Sequence, residues 1–242
     1  MAVFCIKIAG RTAKVQSLFD STRDYCRQYL TEDAPDFSAV ITREDLALEQ
    51  QLLDAEADEE GLRRRVFTDP FLERTAIQRK IAAHLLSFGV LLIHGSAIAV
   101  DNKGFLFTAK TGTGKSTHTR LWRQVFGPRA VMVNDDKPFL QFAKGGIFLC
   151  GAPWSGKHGL DTNITVPLQG ICILERGADN RIFPADADFA ESFLRHQCQA
   201  PLDTEKLSAF EDLTKALLQA PLWCMQCTIS EEAPIIAYEA MK

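Results

Sequence analysis

The apolar positions of this chain follow two spacings, one typical of strands and the other of helices. Short apolar runs predict strands at residues 3–8, 37–41, 90–93, 97–100, 104–109, 130–134, 139–142, 146–150, 168–175 and 222–229. Apolar residues repeated every three to four positions predict helices at residues 13–30, 43–57, 71–88, 117–126, 187–199 and 204–219. This alternation predicts an α/β fold in which a mixed, largely β core is flanked by helices.

Turn and capping residues mark several of these boundaries. Thr42 precedes a helix whose first turn holds Glu44 and Asp45, a Ser/Thr-x-x-Asp/Glu arrangement that caps helices. The turn Asp-Asn-Lys-Gly at 101–104 joins two strands in a hairpin. With 242 residues, the chain is long for one domain and short for two. We therefore predict a small N-terminal α+β segment at residues 1–70 and a larger domain at residues 71–242.

A phosphate-binding loop is predicted at 109–117, where Ala-Lys-Thr-Gly-Thr-Gly-Lys-Ser-Thr lies between a strand and a helix. Gly112 and Gly114 permit the backbone to turn its N–H groups inward around an anion. Lys115 brings a positive charge to the outer phosphates, and Ser116, in the first helical turn, suits a phosphate-bound Mg²⁺. Ala109 stands where this pattern usually begins with Gly. The residues predicted to bind a nucleoside triphosphate are Thr111, Gly112, Thr113, Gly114, Lys115, Ser116 and Thr117.

Two other structures are compatible with the same residues. In the first, the loop glycines form an ordinary tight turn and Lys115 is a solvated side chain, which leaves the flanking strand and helix unexplained. In the second, the glycines belong to a dinucleotide-binding fingerprint whose acidic residue is Asp135. That fingerprint expects a third Gly where Thr117 stands, and it has no role for Gly-Lys-Ser. The phosphate loop is the favoured interpretation.

An acidic pair, Asp135 and Asp136, follows the predicted strand at 130–134. The C-terminal ends of neighbouring strands share one crevice in open α/β sheets, so the pair is expected beside the phosphate loop. One carboxylate would hold Mg²⁺ together with Ser116, and the other would orient or deprotonate an acceptor hydroxyl. The predicted metal ligands are therefore Ser116, Asp135 and Asp136. The alternative is an exposed turn before Pro138, which residue type alone would favour.

Two further residues are candidates for the same chemistry. His94 follows an apolar run, and its predicted role is that of a neutral proton acceptor or a donor to phosphate. A buried core histidine is the alternative, and from residue type alone it is the commoner case. Lys157 lies in the loop Pro-Trp-Ser-Gly-Lys-His-Gly at 153–159, which is too rich in special residues to be a mere connector. Its predicted role is to bind an anionic acceptor or the γ-phosphate, and the alternative is a mobile surface lysine.

Composition argues against several classes of partner. A net charge of -4 gives no general attraction to nucleic acid or to an anionic membrane. The N-terminus lacks a signal-peptide pattern, and the most hydrophobic stretch, at 85–100, is interrupted by polar residues and too short to span a membrane. Seven cysteines in apolar contexts indicate reduced thiols, and Cys224-x-x-Cys227 lacks the other ligands of a zinc site. We predict a cytoplasmic protein with neither a nucleic-acid nor a membrane partner.

Three motifs together resemble a known family. They are Ile93-His94-Gly95-Ser96-Ala97, the strand and loop up to Gly114-Lys115-Ser116-Thr117, and Val133-Asn134-Asp135-Asp136. Their order and spacing resemble those of the catalytic domain of HPr kinase/phosphorylase and its smaller kinase-like relatives. The loop is also similar to that of ATP-dependent phosphoenolpyruvate carboxykinase, a relative in fold. The resemblance covers residues 90–139.

The resemblance implies a P-loop catalytic domain of the HPr kinase/carboxykinase type at residues 71–242, with ATP and Mg²⁺ as cofactors. The loop at 153–159 is similar to one in the smaller relatives, which adds Lys157 to the candidates. The residues that the resemblance implies to be functional are His94, Lys115, Ser116, Asp135 and Asp136.

The activity that the resemblance implies is transfer of the γ-phosphate of ATP to a hydroxyl, serine-like, of an unidentified protein, peptide or small molecule. The glycine-rich signature of true HPr kinases is absent from the sequence after the acidic pair, which argues against HPr as the acceptor. The alternative function is an ATP-binding switch or accessory protein that has no acceptor. A homo-oligomer is compatible with both functions.

Overall fold

The computed structural model describes residues 1–59 and 61–242, which form twelve strands and seven α-helices. The strands are β1 (Ala2–Ile8), β2 (Arg11–Ser17), β3 (Phe37–Val40), β4 (Val90–Leu92), β5 (Ser96–Val100), β6 (Lys103–Thr108), β7 (Ala130–Asn134), β8 (Phe139–Ala143), β9 (Gly146–Cys150), β10 (Thr165–Arg176), β11 (Arg181–Pro184) and β12 (Leu222–Cys227). The helices are α1 (Ser21–Tyr25), α2 (Arg43–Glu59), α3 (Asp69–Leu85), α4 (Lys115–Phe126), α5 (Ala187–Gln197), α6 (Leu207–Ala216) and α7 (Glu232–Met241). Among the described residues, no helix has both the length and the apolar character needed to cross a membrane.

The first three strands form a small sheet of their own in the order β1-β2-β3. β1 and β2 pair antiparallel, whereas β2 and β3 pair parallel. The turn between β1 and β2 consists of Ala9 and Gly10, whose φ angles are both positive, 48° and 73°. This is the backbone of the two-residue hairpin turns whose twist matches that of the flanking strands.

The helix predicted at residues 13–30 is wrong. Its first residues belong to β2, and the α-helix there is limited to Ser21–Tyr25. Ala13, Val15 and Ser17 are buried on one face of β2, which is the alternation of a strand. Pairing with β1 through the tight turn therefore outweighs the helical spacing of the apolar residues.

Helix α3 packs against the small sheet, and α2 packs against α3. The predicted cap of α2 is confirmed, because the N–H of Thr42 donates to Asp45 Oδ2 (2.8 Å) and the N–H of Asp45 donates to Thr42 Oγ1 (3.4 Å). One hydrophobic cluster contains residues from both sides of position 70. The cluster includes Phe4 of β1, Leu72 and Ile77 of α3, and Phe139 of β8. The predicted domain boundary between residues 1–70 and 71–242 stays a prediction.

The other strands form a mixed sheet, which has nine strands within the described ranges. The order is β4-β8-β9-β10-β6-β5-β7, with β12 beside β10 and β11 beside β12. β10 pairs first with β9 and then, further along, with β6 on one edge and β12 on the other. The sheet curls so that its two arms share a buried cluster, which includes Leu91, Leu106, Val133 and Leu149. The prediction of a mixed α/β fold is thereby confirmed.

Four strands of the large sheet end at the same edge. β10 is parallel to β6 and to β12. β5 is antiparallel to both β6 and β7, which makes β6 and β7 parallel to each other. The C-terminal ends of β6, β7, β10 and β12 therefore lie side by side. Ligands of open α/β sheets bind outside the C-terminal ends of strands, so this edge is where a site is expected.

Two elements have no counterpart in the predictions. β11 pairs antiparallel with β12, and α7 follows β12, whose predicted range of 222–229 ends instead at Cys227. Pro234 lies in the first turn of α7, where its missing N–H removes no helical hydrogen bond. Ala233 and Ala237 of this helix are buried in the cluster that holds Trp122 of α4. The C-terminal helix thus packs against α4.

Candidate active site

The loop between β6 and α4 turns on two glycines. Gly112 and Gly114 have φ angles of +76° and +124°, which residues with a Cβ rarely adopt. The N–H of Thr113 donates to the carbonyl of Lys110 (3.1 Å), and the N–H of His118 donates to the carbonyl of Gly114 (2.9 Å) as α4 begins. The first N–H groups of a helix have no partner inside it and lie at the positive end of its dipole. The loop and the helix terminus can therefore bind an anion together.

Lys115, the first residue of α4, is held against this loop. Its ammonium donates to the carbonyl of Ala109 (3.2 Å), and the residue is half-buried. Its positive charge acts to lower the pKa of both His94 and Asp136. The other predicted binding residues lie in the same loop and helical turn, with Thr111 and Gly112 exposed and Thr113, Gly114, Ser116 and Thr117 half-buried.

Asp135 is linked by hydrogen bonds to the N-terminal part of α4. Its Oδ1 accepts a hydrogen bond from Ser96 Oγ (2.6 Å), and Ser96 Oγ lies 2.7 Å from Thr119 Oγ1. Thr119 lies on α4, three residues after Ser116, whose carbonyl it contacts (3.4 Å). Asp135, Ser96 and Thr119 are all buried. The hydrogen-bonded chain fixes the acid that follows β7 next to the helix that follows the loop.

Asp136 lies beside His94. The distance from His94 Nε2 to Asp136 Oδ1 is 3.5 Å, and the N–H of Gly95 donates to the carbonyl of Asp136 (3.0 Å). Burial, together with the positive charges of Lys137 and Lys115, lowers the pKa of His94 to about 3. The imidazole is therefore neutral near pH 7, and its contact with the carboxylate is not an ion pair. Burial raises the pKa of Asp136, and Asp135 adds to this, whereas Lys137 and Lys115 oppose it.

Asn134 holds the turn that carries both acids. Its Oδ1 accepts from the N–H groups of Asp136 (2.8 Å) and Lys137 (2.6 Å). Its Nδ2 donates to the carbonyls of Ala152 (2.7 Å) and Trp154 (3.2 Å). One fully buried amide thus ties the acidic turn to the polar loop at 153–159.

That polar loop touches the acidic pair at Gly156, not at Lys157. A Cβ added to Gly156 would lie 3.2 Å from the Cβ of Asp136, and Gly156 has a φ of +67°. Lys157 follows it and is exposed. The structure therefore brings together His94, Lys115, Asp135 and Asp136, and it leaves Lys157 at the rim.

Residues that follow α1 in the N-terminal part of the chain also form hydrogen bonds to residues just after this polar loop. Tyr29 OH donates to Asp161 Oδ2 (3.0 Å), and Ser155 Oγ donates to Asp161 Oδ1. The side-chain amide of Asn163 donates to the carbonyl of Gln28 (3.0 Å). Residues from the first 30 positions thereby fix the loop that lies next to Asp136.

Several supporting residues of this arrangement were not among the predicted site residues. Ser96 and Asn134 lie inside the motifs that resemble HPr kinases, so a signal for them was present in the sequence. Arg176 ends β10 and donates to the carbonyls of Gly112 (2.6 Å) and Thr113 (3.5 Å). No local pattern marks Arg176, because its contact joins positions more than 60 residues apart. The same holds for Tyr29 and Asp161.

The residues predicted to hold Mg²⁺ have the chemistry for it. Ser116 and the two acids offer hydroxyl and carboxylate oxygens, the ligands that this ion prefers. Asp135 is buried with a hydrogen bond from Ser96 at Oδ1, so a cation at its other oxygen would complete the neutralisation of a buried charge. Among the described residues there is no group of three or more His, Cys, Asp or Glu side chains placed to hold a metal by themselves. The fit therefore requires that phosphate oxygens or water complete the shell, as is usual for Mg²⁺.

Comparison with known proteins leaves the family open. No protein-family model matches the chain, and no curated protein is significantly similar to it. The likeness to HPr kinases therefore rests on the sequence motifs around His94, Lys115 and Asp135.

Proposed function

We propose that this protein is a Mg²⁺- and ATP-dependent kinase, with a P-loop domain of the HPr kinase/carboxykinase type. It transfers the γ-phosphate of ATP to a serine-like hydroxyl of a protein, peptide or small molecule. The observation that carries the proposal is the position of the His94 and Asp136 pair beside a Gly-Lys-Ser loop, at one edge of the sheet.

The phosphate loop binds the phosphate donor, ATP. Phosphoryl transfer needs little covalent chemistry from a protein and depends on positioning and charge stabilisation. The N–H groups around Gly112 and Gly114 bind the outer phosphates, and Lys115 balances their charge. Ser116 and Asp135 would hold Mg²⁺, which would supply neutralisation of the charge that develops on the phosphate oxygens.

Asp136 acts on the acceptor hydroxyl as the general base. The acceptor hydroxyl oxygen forms a bond to the γ-phosphorus, and the bond from that phosphorus to the bridging oxygen of ADP breaks. Asp136 takes the hydroxyl proton, and ADP leaves with the electron pair of the broken bond. His94 contacts the Asp136 carboxylate (3.5 Å) and orients it. Lys157, at the rim, guides an anionic acceptor toward the acid.

Transfer of label from ATP tests this function. The wild-type protein is incubated with Mg²⁺ and ATP labelled at the γ-phosphate, in a lysate of its source cell. We expect a labelled product that depends on added protein, that is lost when EDTA removes Mg²⁺, and that does not form from ATP labelled at the α-phosphate.

The outcome also separates the two candidate functions. Release of labelled inorganic phosphate without any labelled acceptor would contradict a kinase and support an ATP-hydrolysing switch. The absence of both would contradict any use of ATP.

A further inference from the structure

Lys137 directly follows the acidic pair and has none of the roles assigned to the two acids. Its N–H donates to Asn134 Oδ1 (2.6 Å), so the buried amide that holds Asp136 also holds the backbone of Lys137. The residue is half-buried. Within residues 1–59 and 61–242, its ammonium forms neither an ion pair nor a side-chain hydrogen bond. A partly buried cation that lacks a paired counter-ion favours the binding of an anion beside it.

The antiparallel pairing of β4 and β8 continues past the ends of these strands. The N–H of Ile93 donates to the carbonyl of Pro138 (3.2 Å), and the N–H of Gly95 donates to the carbonyl of Asp136 (3.0 Å). Both hydrogen bonds keep the register in which β4 and β8 are paired. The two segments therefore stay side by side as far as the acidic pair.

His94 and Lys137 lie between these two hydrogen bonds and are directly opposite each other. Opposed residues of an antiparallel pair have their side chains on the same face, with Cβ atoms about 4.5–5.5 Å apart. His94 Nε2 lies 3.5 Å from Asp136 Oδ1, so Lys137 shares the face on which the imidazole meets the carboxylate. After burial, the charge of Lys137 is the largest influence on the pKa of His94, which it lowers, and it also opposes the burial that raises the pKa of Asp136. The ammonium therefore belongs to the site of the proposed base.

A phosphoryl group that reaches Asp136 meets like charge. Asp135 and Asp136 bring two negative charges when both are ionised, and the oxygens of the phosphoryl group are also negative. Lys115 begins α4, on the side of the phosphate loop, whereas Lys137 follows the acids, on the side of the proposed base. Cations fixed beside the charge that develops on a transferred phosphoryl group stabilise the transition state. A second ammonium on the side of the acids would offset their repulsion of the phosphoryl oxygens.

We propose that Lys137 is a catalytic residue that binds the phosphoryl group during its transfer. Its ammonium donates to a phosphoryl oxygen from the side of Asp136, whereas Lys115 binds the phosphates from the loop. The contact is stronger when the phosphoryl group lies between ADP and the acceptor oxygen than when it is still part of ATP. This inference rests on the proposed function, since it assumes that ATP occupies the loop and that Asp136 is the base.

Binding of a transition-state mimic tests this inference without an identified acceptor. Calorimetry measures the affinity for Mg·ADP alone and in the presence of tetrafluoroaluminate, a planar anion that takes the place of the phosphoryl group in transfer. Lys137→Met should bind Mg·ADP within about twofold of the wild type, because the loop is unchanged. Its affinity in the presence of tetrafluoroaluminate should be about a hundredfold lower than that of the wild type.

Two further variants separate charge from structure. Lys137→Arg keeps the positive charge but not the shape of the ammonium, so it should restore affinity for the mimic to within about tenfold of the wild type. Lys144→Met makes the same chemical change as Lys137→Met at an exposed position in the turn between β8 and β9. We expect this control to bind both ligands as the wild type does.

The outcomes distinguish failure of this inference from failure of the proposed function. Undiminished affinity of Lys137→Met for the mimic, equal loss of both ligands, or no recovery in Lys137→Arg would overturn the catalytic role of Lys137 and leave the loop's role standing. A wild type that binds Mg·ADP but gains no affinity from tetrafluoroaluminate would also overturn it. Wild-type protein that binds neither ligand would overturn the proposed function as well.

Discussion

Asp136→Asn should reduce phosphate transfer by about a thousandfold while ATP affinity changes by less than about threefold. An amide keeps the size of the carboxylate and its contact with His94, but it cannot accept the hydroxyl proton. The measurement is the rate of label transfer from γ-labelled ATP into its product, together with calorimetric titration of Mg·ATP. The effect is large because proton removal and phosphoryl transfer belong to one step.

The matched control is Asp188→Asn, which makes the same chemical change at an exposed position in the first turn of α5. It should leave both transfer and binding unchanged. Transfer that persists above a tenth of the wild-type rate in Asp136→Asn would remove this residue as the base. Loss of ATP affinity in parallel with transfer would make it a metal ligand instead.

Lys115→Met should weaken Mg·ATP binding by about a hundredfold and reduce the rate of transfer at saturating ATP by a further factor of about ten. The combined loss of about 10³ is the upper end of the range of about 10²–10³ for removal of one charge-stabilising group. Methionine keeps much of the apolar stem of lysine and removes the ammonium that donates to the carbonyl of Ala109. The same calorimetry and label transfer measure both effects.

Lys110→Met is the control for this change, because Lys110 lies in the same loop and is exposed. We expect it to bind Mg·ATP as the wild type does. If the two variants behaved alike, the loop would contribute only general positive charge, and the binding of phosphates at Lys115 would be refuted.

Much of the fold is predictable because its signals are local. The hairpin of β5 and β6 turns at Asp101 and Asn102, which have the positive φ angles of a tight turn and the residue types that adopt them. Strands β7 to β9 and helix α4 lie close to their predicted ranges. The failure at residues 13–30 arises because the burial of β2 depends on its partner β1 and on the turn at Ala9 and Gly10, not on its own apolar spacing.

The site also has a part that could be predicted from the sequence and a part that could not. His94, Lys115 and the acidic pair could be predicted because each follows a recognisable strand or opens a helix, and strand ends converge at one edge. The supporting contacts could not, because Arg176 reaches the loop and Tyr29 reaches Asp161 across long stretches of chain. Sequence reasoning therefore predicts which groups meet at the edge, and only the three-dimensional structure shows what holds them there.

A crystal structure with Mg²⁺ and a non-hydrolysable ATP analogue would examine the proposed chemistry with the fewest assumptions. We expect the outer phosphates to lie within hydrogen-bonding distance of the N–H groups at 112–116 and of the Lys115 ammonium. We also expect Mg²⁺ about 2.1 Å from oxygens of Ser116 and Asp135, or joined to them by water. A nucleotide bound away from this loop, or one whose γ-phosphate faces away from Asp136, would show the proposal to be wrong.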